Sequence, residues 1–259
     1  IFSWMNRATS MCPAGDSFTH IGRLGGYYNL KYYRNCDHLV ANTNDIATYL
    51  INKGWDKNKV HYIPNFVSDR RTQPIDRNDF STPKNAPLIL AMGRLHKNKA
   101  FDILLEAIAK VPNVYLWLAG DGPLRADLEG RAEKLGIKPR TRFLGWRSDP
   151  ERLFATSDLF VCPSRHEPLG NVVVESWAQG VPVIAATSIG PKDLIRQGEN
   201  GILFPVDDIQ GLADSVRHLI DHPELKERII VQAVKDYKSN FTEKIVVEKY
   251  LKFFERVTI

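Results

Sequence analysis

The sequence predicts an α/β fold of parallel strands with helices on both faces. Three observations predict it. Short apolar runs alternate with helix-length amphipathic segments along the chain. Each run is apolar throughout rather than at every second residue, the pattern of a strand covered on both sides. Glycine or proline follows most of the runs, where a strand would turn into a helix.

In chain order the runs that read as strands are 39–42, 60–63, 88–92, 114–119, 141–144, 159–162 and 183–186. The helical segments are 45–53, 101–110, 123–135, 150–156, 171–179 and 209–218, with a final one over 242–257 whose Ile245, Tyr250, Leu251 and Phe254 share a side. The stretch 68–87 is rich in Asp, Arg, Asn and Pro and reads as a linker. We therefore expect one unit over residues 1–80, with two or three strands, and a larger one over 81–240, with five or six. The last helix, 241–259, is expected to cross back to the first unit.

Composition narrows the function. The chain has 259 residues, 43% hydrophobic and 25% charged, as a globular protein does. No apolar run approaches the ~20 residues of a membrane helix, and no secretory signal is present. Cys12, Cys36 and Cys162 are odd in number and far apart, so neither a disulfide framework nor a zinc site is expected, and a cytoplasmic setting is. The net charge of +5 fits a solvated surface or an anionic partner, such as a nucleotide sugar or an acidic membrane face. No nucleic-acid motif occurs.

Ligands of open parallel sheets bind beyond the carboxyl ends of the strands. In the larger unit those ends carry Gly93-Arg94-Leu95, Gly120-Asp121-Gly122-Pro123, Gly145-Trp146-Arg147, the run from Pro163 to Asn171, and Thr187-Ser188-Ile189-Gly190. Glycines let a backbone approach a ligand, and cations answer phosphate charge. Arg94 and Lys99 can both reach one space above the sheet, where helix-terminal amides favour an anion. Glu167 falls in a loop. Glu175, in the helix that follows, sits among Val172, Val173, Val174 and Trp177, where a carboxylate needs a hydrogen-bonding partner. Sugar hydroxyls would serve, and so would a salt bridge.

Five stretches occur in one order and spacing: Gly93-Arg94-Leu95 with Lys99, Gly120-Asp121-Gly122-Pro123-Leu124, Glu167 to Glu175, Gly180-Val181-Pro182-Val183-Ile184, and Gly198 to Pro205. Together they resemble the C-terminal domain of glycosyltransferase family 4, and Ile63-Pro64-Asn65-Phe66-Val67 resembles the segment before its interdomain linker. The resemblance implies the GT-B fold, a Rossmann-like domain beside a partial second one, and retaining transfer from a UDP- or GDP-linked sugar to a glycan or lipid-linked acceptor. It implies that Arg94 and Lys99 hold the donor diphosphate and that Glu167 stands beside the transferred sugar. Gly93 and the backbone of Leu169, Gly170 and Asn171 would surround phosphates and sugar, and Glu175 would bind the ribose. No metal or other cofactor is implied, because protein cations stabilise the leaving group. Bacterial polysaccharide or lipopolysaccharide synthesis, with peripheral contact at the inner membrane face, is the setting it suggests.

Departures from the family pattern are Lys99-Ala100 for Lys-Gly, Glu167-Pro168-Leu169-Gly170 for Glu-Gly-Phe-Gly, and Pro64-Asn65-Phe66 for Pro-Asn-Gly. The family's histidine after an N-terminal-domain strand has no counterpart in Phe2-Ser3-Trp4-Met5-Asn6-Arg7. The family's first strands would precede Ile1, so the acceptor domain is expected to be incomplete and a module that binds donor without transfer is one alternative. A GT-B nucleotide-sugar epimerase is the other.

Overall fold

The computed structural model describes residues 1–15 and 17–257. Its elements run β1 (Phe2–Trp4), α1 (Met5–Met11), β2 (Ile21–Leu24), β3 (His38–Ala41), α2 (Asn44–Asn52) and β4 (Val60–Tyr62). There follow β5 (Leu88–Met92), α3 (Phe101–Ala109), β6 (Tyr115–Ala119), α4 (Arg125–Lys134), β7 (Thr141–Gly145), α5 (Pro150–Thr156) and β8 (Leu159–Cys162). The remainder are α6 (Asn171–Gln179), β9 (Val183–Ala186), α7 (Ile189–Leu194), β10 (Ile202–Phe204), α8 (Ile209–Asp221), α9 (Pro223–Asn240) and α10 (Glu243–Val257).

Two compact units result: Ile1–Val67 with the chain from Ser239 onward, and Ser68–Lys238. In the first, β1, β2, β3 and β4 form a parallel sheet in that order. Ile21 and Val40 from this sheet, with Ile63 just after β4, bury against Val246 and Phe253 of α10. In the second, six parallel strands are ordered β10-β9-β8-β5-β6-β7. Strand order reverses between β5 and β8, and such a switch point opens a crevice at the carboxyl ends.

Residues alternate across the larger sheet. Ile89, Ala91, Leu116, Leu118, Val161 and Ile184 enter a core with α3, α4 and α8. Each large aliphatic side chain buried there stabilises the fold by roughly 1.5–3 kcal/mol. On the other face Phe160 meets Phe154 of α5 at 5.1 Å and Trp117 meets Phe80 at 5.0 Å. Among the described residues no helix is long and apolar enough to cross a membrane.

The segment read as a linker is bound to the second unit by its polar groups. The Ile75 N–H donates to Thr156 Oγ1 at 2.8 Å, Arg77 pairs with Asp158 at 3.0 Å, and Trp117 Nε1–H donates to Thr82 Oγ1 at 2.9 Å. The smaller sheet has four strands, more than the two or three expected, because β1 and β2 do not look like strands in sequence. Gly22 lies inside β2 because a side chain there would meet Cys36 Sγ and the Tyr33 ring at 2.8 Å. Strand β10 and helices α1, α7 and α9 also escaped the sequence reading. Helix α9 spreads its charged residues around most of its surface and buries only a thin line, Ile229, Ala233 and Tyr237, four residues apart.

Candidate functional site

The carboxyl ends of β5, β6 and β7 are laced together by their own backbones. Gly93 N–H donates to the Ala119 carbonyl at 3.0 Å, Gly120 N–H to that of Gly145 at 2.7 Å, and Leu95 N–H to that of Asp121 at 2.9 Å. Gly120, with φ +134°, has no room for a side chain: a Cβ would stand 1.9 Å from the Gly93 carbonyl oxygen. Three turns thereby become one rim.

A cavity of about 510 Å³ opens beside this rim, lined by Gly93, Arg94, Lys99, Trp146, Val172 and Glu175 among others. Arg94 is exposed, and among the described residues it has no hydrogen-bond or ion-pair partner. Its guanidinium is therefore available to a ligand. Lys99 closes a short 3-10 turn, Lys97–Lys99, and its Nζ donates to Glu167 Oε2 at 2.5 Å. Ala100 follows with φ +52°, a left-handed conformation that a residue with a Cβ adopts at a cost.

Glu167 is 9% exposed. Its loop is fastened from two directions. Gly190 N–H donates to the Glu167 carbonyl at 2.7 Å, and a Cβ on Gly190 would stand 2.7 Å from that same oxygen. From the other side Arg165 grips the Lys97 carbonyl at 2.8 Å and the Asp102 carboxylate at 2.7 and 2.9 Å, and it pairs with Asp207 at 2.6 Å. Burial would raise the Asp102 pKa, but these bonds outweigh it and hold the carboxyl below its usual range. Arg165 is thus a structural cation, unlike Arg94.

Helix α6 forms although three consecutive valines favour a strand. Burial of Val173, Val174 and Trp177 decides the matter. Gly170, with φ +69°, turns the loop into the helix. Glu175 and Val172 face the cavity. Burial raises the Glu175 pKa, and the negative charges of Glu151 and Glu167 raise it further, while Lys99 opposes them.

The structure thus brings Gly93, Arg94, Lys99 and Glu175 to one cavity and attaches Glu167 through Lys99. Leu169, Gly170 and Asn171 form the turn into α6 and lie outside that lining. Trp146, 77% exposed, and Asp121, which the sequence placed at strand ends without giving them a role, line it as well. Their place directly after β7 and β6 was the available signal. Among the described residues no group of three or more His, Cys, Asp or Glu side chains is placed to hold a metal ion.

Residues 72–236 match the family described as glycosyl transferases group 1. The chain is 38% identical over 252 residues to the lipopolysaccharide core biosynthesis glycosyltransferase LpsE of Rhizobium meliloti (strain 1021), covering 97% of this chain and 74% of the relative. It is also 38% identical over 257 residues to the lipopolysaccharide core biosynthesis glycosyltransferase LpsD of that strain, covering 99% and 75%. Anabaena Alr3699/HepE, solved in complex with UDP and glucose, superimposes with a TM-score of 0.83 at 24% identity, covering 92% of this chain and 72% of that one. That likeness is one of fold, and the architecture is of the GT-B type.

Proposed function

Because this chain belongs to the group 1 glycosyl transferases and is a glycosyltransferase, we propose that it is a retaining, family 4 enzyme using a UDP- or GDP-linked sugar. The observation that carries the donor reading is the cavity at the switch point, where an unpaired Arg94, a Lys99 shared with Glu167 and a half-buried Glu175 converge. Arg94 and Lys99 hold the diphosphate and stabilise the charge that grows on it as the glycosidic bond breaks. Lys99 has three N–H donors and gives one to Glu167, so two remain for phosphate oxygens. Glu167 stands beside the transferred sugar, and Glu175 accepts from the ribose hydroxyls. The backbone of Leu169, Gly170 and Asn171, at the turn into α6 outside the cavity lining, would meet the phosphates and sugar from the side of Glu167. Retention follows from departure and attack on one face of the sugar through an oxocarbenium-like state. The acceptor is a lipopolysaccharide-core type of glycan, as the names of two relatives suggest, met at the inner membrane face. Kinship with glycosyltransferases favours transfer over the epimerase alternative.

A thermal-shift panel of UDP, GDP, ADP and their sugars tests this reading. One base series should stabilise the protein, and a flat panel would sink the donor assignment. Glu175→Ala should weaken the nucleotide and its sugar alike, because the ribose is common to both. Glu167→Gln keeps the shape but removes the charge, so it should lower kcat more than it weakens nucleotide binding.

A further inference from the structure

Among the described residues of the smaller unit, none neutralises the charge of Arg23. Arg23, near the carboxyl end of β2, is 7% exposed. Its Nε–H donates to Tyr250 Oη at 2.8 Å, and one NH2 hydrogen goes to Asn65 Oδ1. The guanidinium lies 4.3 Å from the centre of the Trp4 ring. Every one of these partners is neutral, and among the described residues no carboxylate pairs with Arg23. A buried charge is costly without a counter-ion. An arginine has five N–H donors, of which two are spent here. The remaining three include both hydrogens of the second terminal nitrogen, which is not among the fully buried atoms lacking a partner. They form half of a fork that fits a carboxylate or phosphate.

The surroundings suit a sugar. Trp4, 53% exposed, presents an aromatic surface at the end of β1. Asn6, in the helix that follows β1, and Asn42, just after β3, each bury a side-chain oxygen that no donor meets among the described residues. Asn65 follows β4. All four strands of this sheet therefore deliver an amide or a guanidinium near their carboxyl ends, the rim where parallel sheets bind ligands.

We propose that this rim is an anion-selective subsite in which Arg23 takes a carboxylate or phosphate carried by a sugar, with Trp4 beside the ring. It deepens the transferase reading by giving the acceptor a negative charge, and its anion chemistry stands without that reading. The test is tryptophan emission of the 259-residue chain titrated with glucose 6-phosphate, glucuronate, glucose and inorganic phosphate, and repeated in Trp4→Phe to isolate the Trp4 signal. The two anionic sugars should change Trp4 emission saturably, with Kd at least tenfold lower than glucose or inorganic phosphate. Arg23→Gln should raise Kd for both by tenfold or more. Arg23→Lys keeps the charge but not the fork, and should bind them at intermediate strength. Arg94→Ala should leave the response unchanged. Glucose or inorganic phosphate binding as tightly as the anionic sugars would overturn the proposal. So would a wild-type anion response in folded Arg23→Gln, or a response lost in Arg94→Ala instead. If Arg23→Gln fails to fold, Arg23→Lys and the wild-type selectivity decide. A flat nucleotide panel beside an intact Trp4 response would remove the donor reading and leave this site standing.

Discussion

The two sheets are built alike and equipped differently. Both are wholly parallel, and both place polar residues at the carboxyl ends of their strands. On the larger sheet the rim is cationic and mostly self-compensated: Lys99 with Glu167, Arg165 with Asp102 and Asp207, Arg147 with Asp149. Among the described residues the guanidinium of Arg94 is left over and exposed. On the smaller sheet the rim is made of amides and a buried guanidinium whose partners among the described residues are neutral. The lesson concerns the cost of keeping a charge ready. An exposed arginine waits at little cost because water solvates it, whereas a buried one must be held by aromatic and amide partners until an anion arrives.

The smaller sheet also holds half-buried titratable groups away from its rim. His38 Nδ1 and His61 Nε2 lie 3.1 Å apart beneath Phe253, whose ring is 4.6 Å from that of His61. Burial, then the neighbouring His38 and Arg256, lower the His61 pKa to about 4. Burial, Lys59 and Arg256 lower that of His38, and Asp37 only partly offsets them.

The largest effect is expected at Gly120. If the larger rim depends on interlaced backbones, Gly120→Ala should cost about 3–5 kcal/mol and abolish nucleotide binding, since the clash is with backbone. Urea unfolding checks this, and a shift below about 1 kcal/mol would mean the rim adapts easily. Next in size is Arg94→Ala. It should weaken nucleoside diphosphate binding by ~1.5–3 kcal/mol, the scale of a charge-assisted hydrogen bond, while leaving the melting temperature alone. Calorimetric titration showing unchanged affinity would remove Arg94 from the site.

The third effect should appear in the smaller unit alone. A histidine whose folded pKa lies below its unfolded value near 6.5 contributes stability that is present above that pH and lost as pH falls towards the folded value. Between pH 6.5 and about 4 the first unit should lose about 1–2 kcal/mol, a discounted figure because the ring is only half-buried. Hydrogen exchange of β3 and β4 across that range, compared with His61→Phe, would show it. Equal pH sensitivity in the larger sheet would refute the localisation. The smallest effect is Ala100→Gly. Relief of the left-handed strain is offset by the entropy that glycine adds to the unfolded chain and by the loss of a fully buried methyl, so the stability of the larger unit should change by less than ~0.5 kcal/mol. Denaturant midpoints check this.

Much of this architecture could be read without coordinates. Strands β5, β8 and β9 and helices α5 and α6 have their expected bounds, because each is a local pattern closed by a turn residue. The strand-end rule collected Arg94, Lys99, Glu167 and Glu175 from residues far apart in the chain, since all of them follow strands of one sheet. Short strands with small or charged interiors were not legible. Arg23 in β2 looks like a surface cation, and only the packing of Tyr250, Asn65 and Trp4 makes it a buried one. The same holds for Arg165 against Arg94. Both are arginines after a strand, and sequence placed both on the rim. Which one is consumed by Asp102 and Asp207 depends on distances of a few ångströms between segments remote in sequence. Local patterns along the chain are enough to set the frame of strands and helices, because each is specified by neighbours in sequence. The state of each charge, paired, buried or free, was decided by the tertiary structure, because electrostatic partners are chosen by proximity and desolvation rather than by order along the chain.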